Sequence, residues 1–403
     1  MKIVQINATC GVGSTGKICV AVSELLTQRE VDNTIFYTLG ESKYPKGVKY
    51  SNLCYTKCQA LFSRVFGNYG FNSRLITRRL IRQLKKLSPD IVHLHNLHAH
   101  NLHLDMLFRY LKENQIKVFW TFHDCWAFTA YCPYFDAVNC DKWKTACQNC
   151  PQRKQYSWFF DRSTSLFERK KAMLEGLDLT VITPSSWLAE LVKQSVFKEF
   201  PLEVIHNGIN LSIFQPCESN FREQYALENK FVLLGVANGW DKRKGLDVFV
   251  RLAEELDERF KIVLVGVSES LKRSLPEKIL ALTKTKTQRE LAEIYSMADL
   301  FVNPTVEDNY PTVNMEALAC GTPVLTYATG GSGEIPDESC GLSIPIGDEM
   351  LLKEAILTIR EKRPFTKEAC LKRATFFNEQ DRFAEVLSLY GLSCVDDHVT
   401  KER

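Results

Sequence analysis

Two acidic side chains, Asp308 and Glu316, stand eight residues apart in the run Thr305-Val306-Glu307-Asp308-Asn309-Tyr310-Pro311-Thr312-Val313-Asn314-Met315-Glu316. A strand pattern ending at Asn303-Pro304 feeds a polar loop and then a helix. Pro311 suits the first helical position, where a missing N–H costs nothing. Asp308 then lies on the loop and Glu316 within the helix, so both can face one ligand. The helix start turns backbone N–H groups toward the loop, a ready anion site. A second segment, Gly235-Val236-Ala237-Asn238-Gly239-Trp240-Asp241-Lys242-Arg243-Lys244-Gly245, ends a buried strand in a basic loop that opens another helix. Cations beside a helix N-terminus suit a diphosphate. In Thr329-Gly330-Gly331-Ser332-Gly333-Glu334 three glycines permit close backbone approach to a ligand.

Near the N-terminus, Gly11-Val12-Gly13-Ser14-Thr15-Gly16-Lys17 follows a strand and precedes a helix. It nearly spells a nucleoside-triphosphate P-loop, but Ile18 replaces the Ser or Thr that would hold magnesium. The expectation is a glycine loop facing a cleft, with Gly13 placed to approach a ligand there. Phe122-His123-Asp124 ends another strand, where α/β sheets place ligands. Five histidines (93, 95, 98, 100 and 103) surround a further strand end. Alternation of side chains along the strand argues against a shared metal, and His95 and Asn96 are expected to line the acceptor side of the cleft. Cys132, Cys140, Cys147 and Cys150 fall within nineteen residues, the last pair with Cys-x-x-Cys spacing. Structural zinc, disulfides and buried free thiols are all open there, and the role is structural in each case.

The elements that must carry these residues alternate between short β-branched runs and longer helical patterns. There are ten such runs, from Lys2–Asn7 to Pro323–Tyr327, and several are apolar almost throughout, as parallel strands buried on both faces are. The expected fold class is α/β, with two doubly wound, Rossmann-like parallel-sheet domains of about five strands each facing a cleft. The boundaries are placed at residues 1–208 and 209–379, with a C-terminal helix from about 380 to 403 packing back on the first domain.

The chain of 403 residues has a net charge of +3, too mild for nucleic acid as the main partner. No apolar run reaches the ~18 residues of a membrane span, and Met1–Asn7 reads as a first strand and not as a signal peptide. The expected location is cytoplasmic. Between Ser42 and Pro89, however, there are eleven Lys or Arg and no Asp or Glu. Arg74, Arg78, Arg79, Arg82, Lys85 and Lys86 share one side of a helix. This predicts peripheral contact with anionic lipid on the inner face of the plasma membrane.

The Asp308…Glu316 pair followed by Ala319-Cys320-Gly321-Thr322-Pro323-Val324 resembles the hallmark of the family 4 retaining glycosyltransferases, and the similarity runs along the whole chain. The resemblance implies a GT-B fold and sugar transfer from a UDP- or GDP-sugar to a glycan or lipid-linked glycan acceptor in surface polysaccharide synthesis. It implies that Glu316 binds the donor ribose, that Asp308 and His123 contact the donor sugar, and that Lys244 neutralises the diphosphate. Asn238 stands where the family has an Arg, so Arg243 or Lys242 is expected to compensate. Asn309, Tyr310, Thr312, Gly330 and Gly331 complete the implied donor site. No Asp-x-Asp occurs, which agrees with catalysis that requires no cofactor. An epimerase acting on nucleotide sugars, or a non-catalytic nucleotide-sugar-binding protein, would carry similar loops; dependence on an acceptor separates them.

Overall fold

The computed structural model describes residues 1–392. The first sheet contains β1 (Lys2–Ile6), β2 (Asp32–Tyr37), β3 (Gly47–Lys49), β4 (Ile91–Leu94), β5 (Lys117–Thr121), β6 (Leu179–Thr183) and β7 (Leu202–Val204) in the order β3-β2-β1-β4-β5-β6-β7. The second contains β8 (Phe231–Val236), β9 (Phe260–Val265), β10 (Ile279–Leu282), β11 (Leu300–Asn303), β12 (Val324–Tyr327) and β13 (Gly341–Ile344) in the order β10-β9-β8-β11-β12-β13. Every pairing is parallel. These are two Rossmann-like sheets, and each reverses its strand order next to its first strand. The loops beyond the strand ends at such a reversal form a ligand crevice.

All ten expected strands are present, and three more join them. β3, β10 and β13 each lie at an edge of their sheet and are partly exposed. An edge strand is covered on fewer sides, so β3 (Gly-Val-Lys) and β13 (Gly-Leu-Ser-Ile) lack the continuous apolar run of a central parallel strand, whereas β10 (Ile-Leu-Ala-Leu) is apolar but only four residues long.

Alternation along the central strands feeds two cores per sheet. Val4, Ile6, Val92, Leu94, Val118 and Trp120 pack on one face of the first sheet. Ile3, Ile91, Phe119 and Ile182 pack on the other, together with Phe383, Val386, Leu387 and Tyr390. The C-terminal helix Glu379–Leu389 therefore lies on α1 (Gly13–Gln28) of the first sheet's domain. The helix ends at Leu389, short of the expected bound near 403, and residues 393–403 lie outside the described residues. The chain passes between the sheets twice, and the two passages are joined. Ile209 N–H donates to Phe377 O at 2.8 Å, and Glu379 N–H to Ile209 O at 3.0 Å. Gly208 permits this, because a Cβ there would stand 2.4 Å from the Glu379 Cα. Among the described residues no helix is long and apolar enough to cross a membrane.

Candidate active site

β8 and β11 are neighbours at the reversal of the second sheet, so the loops that follow them meet. Asp241 Oδ1 accepts the Lys244 N–H at 2.9 Å and turns the basic loop. Gly245, at φ +76°, packs so closely on Pro304 that a Cβ would stand 2.6 Å from its ring and its carbonyl. The result is an ion pair: Lys244 Nζ lies 2.6 Å from Asp308 Oδ2, both side chains partly exposed. Arg243 is used differently. Its guanidinium donates to Glu307 O at 3.0 Å and its carbonyl accepts the Val306 N–H at 2.9 Å. It staples the two loops together.

The helix after this loop begins at Thr312, one residue later than expected, with Pro311 as its cap. Glu316 is buried on it. Tyr295 donates its hydroxyl to Glu316 Oε2 at 3.0 Å, and the Thr312 side chain also hydrogen-bonds the carboxylate. Burial pushes the Glu316 carboxyl above the usual range, while Lys17 of α1 pulls it down. Lys17, exposed on α1, thus lies within electrostatic reach of Glu316. The sequence displays Lys17 in the glycine loop, but gives no sign of this partner. Gly13 sits on the exposed rim of the same loop at φ +69°, with open space where a Cβ would be.

Asn309 joins the two domains. Ser185, at the end of β6, donates to Asn309 Oδ1 at 2.6 Å, and Asn309 Nδ2 donates to His123 O at 3.2 Å. Nearby, Glu334 accepts the Ser186 and Trp187 N–H groups at 3.0 and 2.8 Å. Ser185 and Glu334 are the contacts that sequence reasoning missed; the strand-end position of Ser185 is the one signal that pointed to it. Gly330 and Gly331 pack against protein and not open space. A Cβ on Gly330 would stand 2.0 Å from Asp308 O, and one on Gly331 would stand 2.4 Å from the Ser185 Cβ. Their lack of side chains lets this turn lock the Asp308–Asn309 loop. Tyr310 is also displaced from its expected role: it is buried and stacks on His206 at 5.0 Å in the interdomain passage.

On the opposite wall the histidines form a chain whose proton positions follow from its first link. Gln5 Nε2 donates to Cys19 O at 3.0 Å, which turns Gln5 Oε1 toward His95 Nε2 at 3.2 Å. His95 must then donate from Nε2 and accept at Nδ1, where His123 Nε2 stands at 3.1 Å. His123 is therefore the Nε2–H tautomer. Burial pushes its pKa down to about 4, and that of His95 well below its ordinary value. His95 is buried beneath His123 and does not line the acceptor side. Asn96 is partly exposed and donates its N–H to Asn7 Oδ1 at 3.1 Å. His93 and His95, two residues apart, share one face with rings 4.1 Å apart, so alternation does not separate this pair. The ring nitrogens of His93 bond to Tyr390 and Thr121. His98 Nε2 lies 2.8 Å from Asp124 Oδ2, and this partner raises its pKa against the effect of burial.

The cysteine segment forms the lip between these walls. Ala137 N–H donates to Glu307 Oε1 at 3.4 Å, and Tyr134 lies within electrostatic reach of Asp308 and Arg243. Cys132, Cys140, Cys147 and Cys150 line one small cavity, and all four are free thiols. Among the described residues no three His, Cys, Asp or Glu side chains stand close enough, as placed, to hold a metal ion.

The family models agree with this geometry. Residues 16–213 match "Glycosyltransferase Family 4" and residues 230–362 match "Glycosyl transferases group 1". Over 368 residues, covering 85% of this chain and 87% of its own, the putative colanic acid biosynthesis glycosyl transferase WcaC of Escherichia coli K12 is 23% identical. The alpha-galactosylglucosyldiacylglycerol synthase of Streptococcus pneumoniae is 30% identical over 162 residues, 36% of this chain and 42% of its own. Among solved structures, sucrose-phosphate synthase of Thermosynechococcus elongatus superposes with a TM-score of 0.70 at 19% identity, covering 97% of this chain and 98% of its own. Anabaena HepE in complex with UDP does so with a TM-score of 0.70 at 13% identity, covering 97% and 100%. Two Rossmann-like domains, a Lys–Asp pair at the strand ends and a buried Glu on the following helix fit these matches: the chain is a GT-B glycosyltransferase of family 4.

Proposed function

We infer that this glycosyltransferase uses a UDP-sugar and transfers the sugar, with retention of configuration, to a lipid-linked glycan in surface polysaccharide synthesis. The observation that carries this reading is the Lys244–Asp308 ion pair at the mouth of the helix that buries Glu316. The choice of uridine is supported by HepE, whose structures are described with UDP and UDP-glucose. The acceptor class is supported by the colanic acid and diacylglycerol names of the two relatives.

In this reading the donor ribose takes the Glu316 carboxylate, with Tyr295 and Thr312 holding it in place. The diphosphate draws Lys244 away from Asp308, which frees the Asp308 carboxylate for the sugar hydroxyls. As the glycosidic bond breaks, charge builds on the leaving diphosphate. Lys244 stabilises it, together with the first-turn N–H groups at Thr312 and Val313, which have no partners within their own helix. The departing phosphate takes the proton of the acceptor hydroxyl, which arrives on the same face. His123, held neutral with its proton directed at His95, contributes its remaining ring nitrogen as an acceptor beside the sugar. Positive charge from protein groups takes the place that a metal fills elsewhere, so no catalytic cofactor is invoked. Incubation with a panel of UDP- and GDP-sugars and a lipid extract tests the reading. Transfer from a UDP-sugar, dependent on the extract and giving the donor's anomeric configuration by NMR, is expected. Transfer from GDP-sugars alone, or inversion, would overturn it.

A further inference from the structure

α2 (Leu53–Phe66) is built inside out. Its buried residues are Thr56 and Ser63, both polar, whereas Leu53, Leu61, Phe62 and Phe66 are exposed. Phe62 and Phe66 stack at 5.7 Å with half or nearly half of each side chain in solvent, 50% and 42%. Beside them Trp158, Phe159 and Phe160 are 47%, 66% and 48% exposed. The two features form one surface. Trp158 N–H donates to Arg64 O at 2.6 Å, Arg64 Nη1 donates to Gln155 O at 3.2 Å, and the Phe160 carbonyl packs on Gly67. Leu75, exposed at the start of α3 (Arg74–Leu87), extends it, because Asn72 Nδ2 binds Ser63 Oγ at 2.8 Å. A monomer has little reason to expose a contiguous aromatic patch of this kind.

The charge around the patch has one sign. Lys57, Arg64, Arg74, Arg78, Arg79, Arg82, Lys85 and Lys86 are all exposed, and no Asp or Glu occurs between Ser42 and Pro89. Lys154 and Arg162 flank the aromatic loop, also exposed. The nearest carboxylate, Asp161, is taken up by the Cys150 and Ser163 N–H groups.

We propose that Phe62, Phe66, Trp158, Phe159 and Phe160 form a wedge that enters the interfacial layer of an anionic membrane, with the basic face of α3 lying on the phosphates. Aromatic rings favour this layer, and each basic residue near anionic lipid adds to the attraction. The position relative to the cleft gives the wedge a purpose. Ser63 Oγ bonds to His100 Nδ1 at 3.0 Å; Tyr69 OH donates to His98 O at 2.6 Å; and His98 meets Asp124, the neighbour of His123. The wedge backs the wall that ends at His123, so a lipid-linked acceptor can keep its tail in the bilayer while its head group enters the cleft. This use of the surface rests on the lipid-linked reading of the acceptor above; membrane binding itself does not.

Vesicle flotation separates the possibilities. The wild type is expected to float with phosphatidylcholine vesicles containing phosphatidylglycerol, and far less with phosphatidylcholine alone. The Trp158→Ser, Phe159→Ser, Phe160→Ser triple variant and the Arg78→Gln, Arg79→Gln, Arg82→Gln triple variant are each expected to lose roughly tenfold or more of this binding. Circular dichroism and UDP titration are expected to match wild type in both. Fluorescence quenching by brominated lipid is expected to fall in Trp158→Phe, a variant with little cause to misfold. Equal flotation on neutral and anionic vesicles, unchanged binding of the aromatic variant, or loss of a dimer from that variant by light scattering would each overturn the proposal. UDP binding is read without vesicles, so failure of the donor reading shows up separately.

Discussion

Lys244 and Asp308 come from loops 64 residues apart and meet at 2.6 Å, on two adjacent strands at the point where the second sheet reverses its order. Each holds the other's charge in place until an anion competes for the lysine.

Replacing Lys244 by Ala is expected to lower turnover about 100-fold or more, the scale seen when one donor to a developing charge is removed. The pair is partly exposed, so folding stability is expected to change by no more than about 1 kcal/mol. Transfer rates compared with a thermal melt measure both; near-normal transfer by the variant would sink the assignment.

Glu316→Gln is expected to weaken UDP binding by about 1–3 kcal/mol, the worth of a hydrogen bond to a charged group. Tyr295 keeps a carbonyl acceptor in the variant, so the melt is expected to move little. Calorimetric titration with UDP gives the answer, and unchanged affinity would place the ribose elsewhere.

The histidine wall predicts a pH effect on stability. Burial holds His93 at about 3 and His123 and His100 at about 4, all below the ordinary 6.5. The unfolded chain therefore binds more protons than the folded one below about pH 6.5, and stability falls as pH drops from there toward 4. His98, raised by Asp124, acts the other way, as do Glu307 and Glu316, which burial raises. With His95, which burial also holds well below its ordinary value, four large downward shifts set the sign. Melting temperature is expected to decline from pH 7 to pH 5, and His123→Gln, which keeps a donor for His95, is expected to flatten the slope. A flat wild-type profile would contradict this.

We propose zinc, over disulfides or plain buried thiols, as the occupant of the cysteine cavity. Ala130 N–H and Gln152 N–H bond to the sulfurs of Cys147 and Cys150, and the buried Lys170 lies within electrostatic reach of Cys147 and Cys132. These donors and the cation offset burial only in part: it still pushes the Cys132 thiol up to about 12 and Cys147 to about 11, so an incoming ion would have to displace their protons as well as draw the thiols together. Elemental analysis of untagged protein is expected to find about one zinc per chain, lost in Cys147→Ser with a lower melting temperature. No zinc and four promptly titratable thiols would leave plain core cysteines.

What could be read from the sequence was local. Runs such as Phe231–Val236 are apolar on both faces because central parallel strands are covered twice, and that burial has no other simple cause. The acid pair, the basic loop and, to within one residue, the helix start could be read for a similar reason: strand ends and helix starts are fixed by neighbours along the chain. The local readings that failed were the alternation rule, misapplied to His93 and His95, the place of Pro311, and the three edge strands.

The tertiary structure decided everything that needed a second segment. Arg243 was spent on Glu307 O, and Gly330 and Gly331 on the Asp308–Asn309 loop, because those partners lie beyond the reach of any sequence pattern. His95 sank beneath His123 because Gln5, ninety residues away, supplied its acceptor. Lys17 found Glu316 and Asn309 found Ser185 because two domains close on one cleft. The edge strands and the exposed face of α2 have the same origin: burial depends on which neighbour arrives, and only the folded chain determines that.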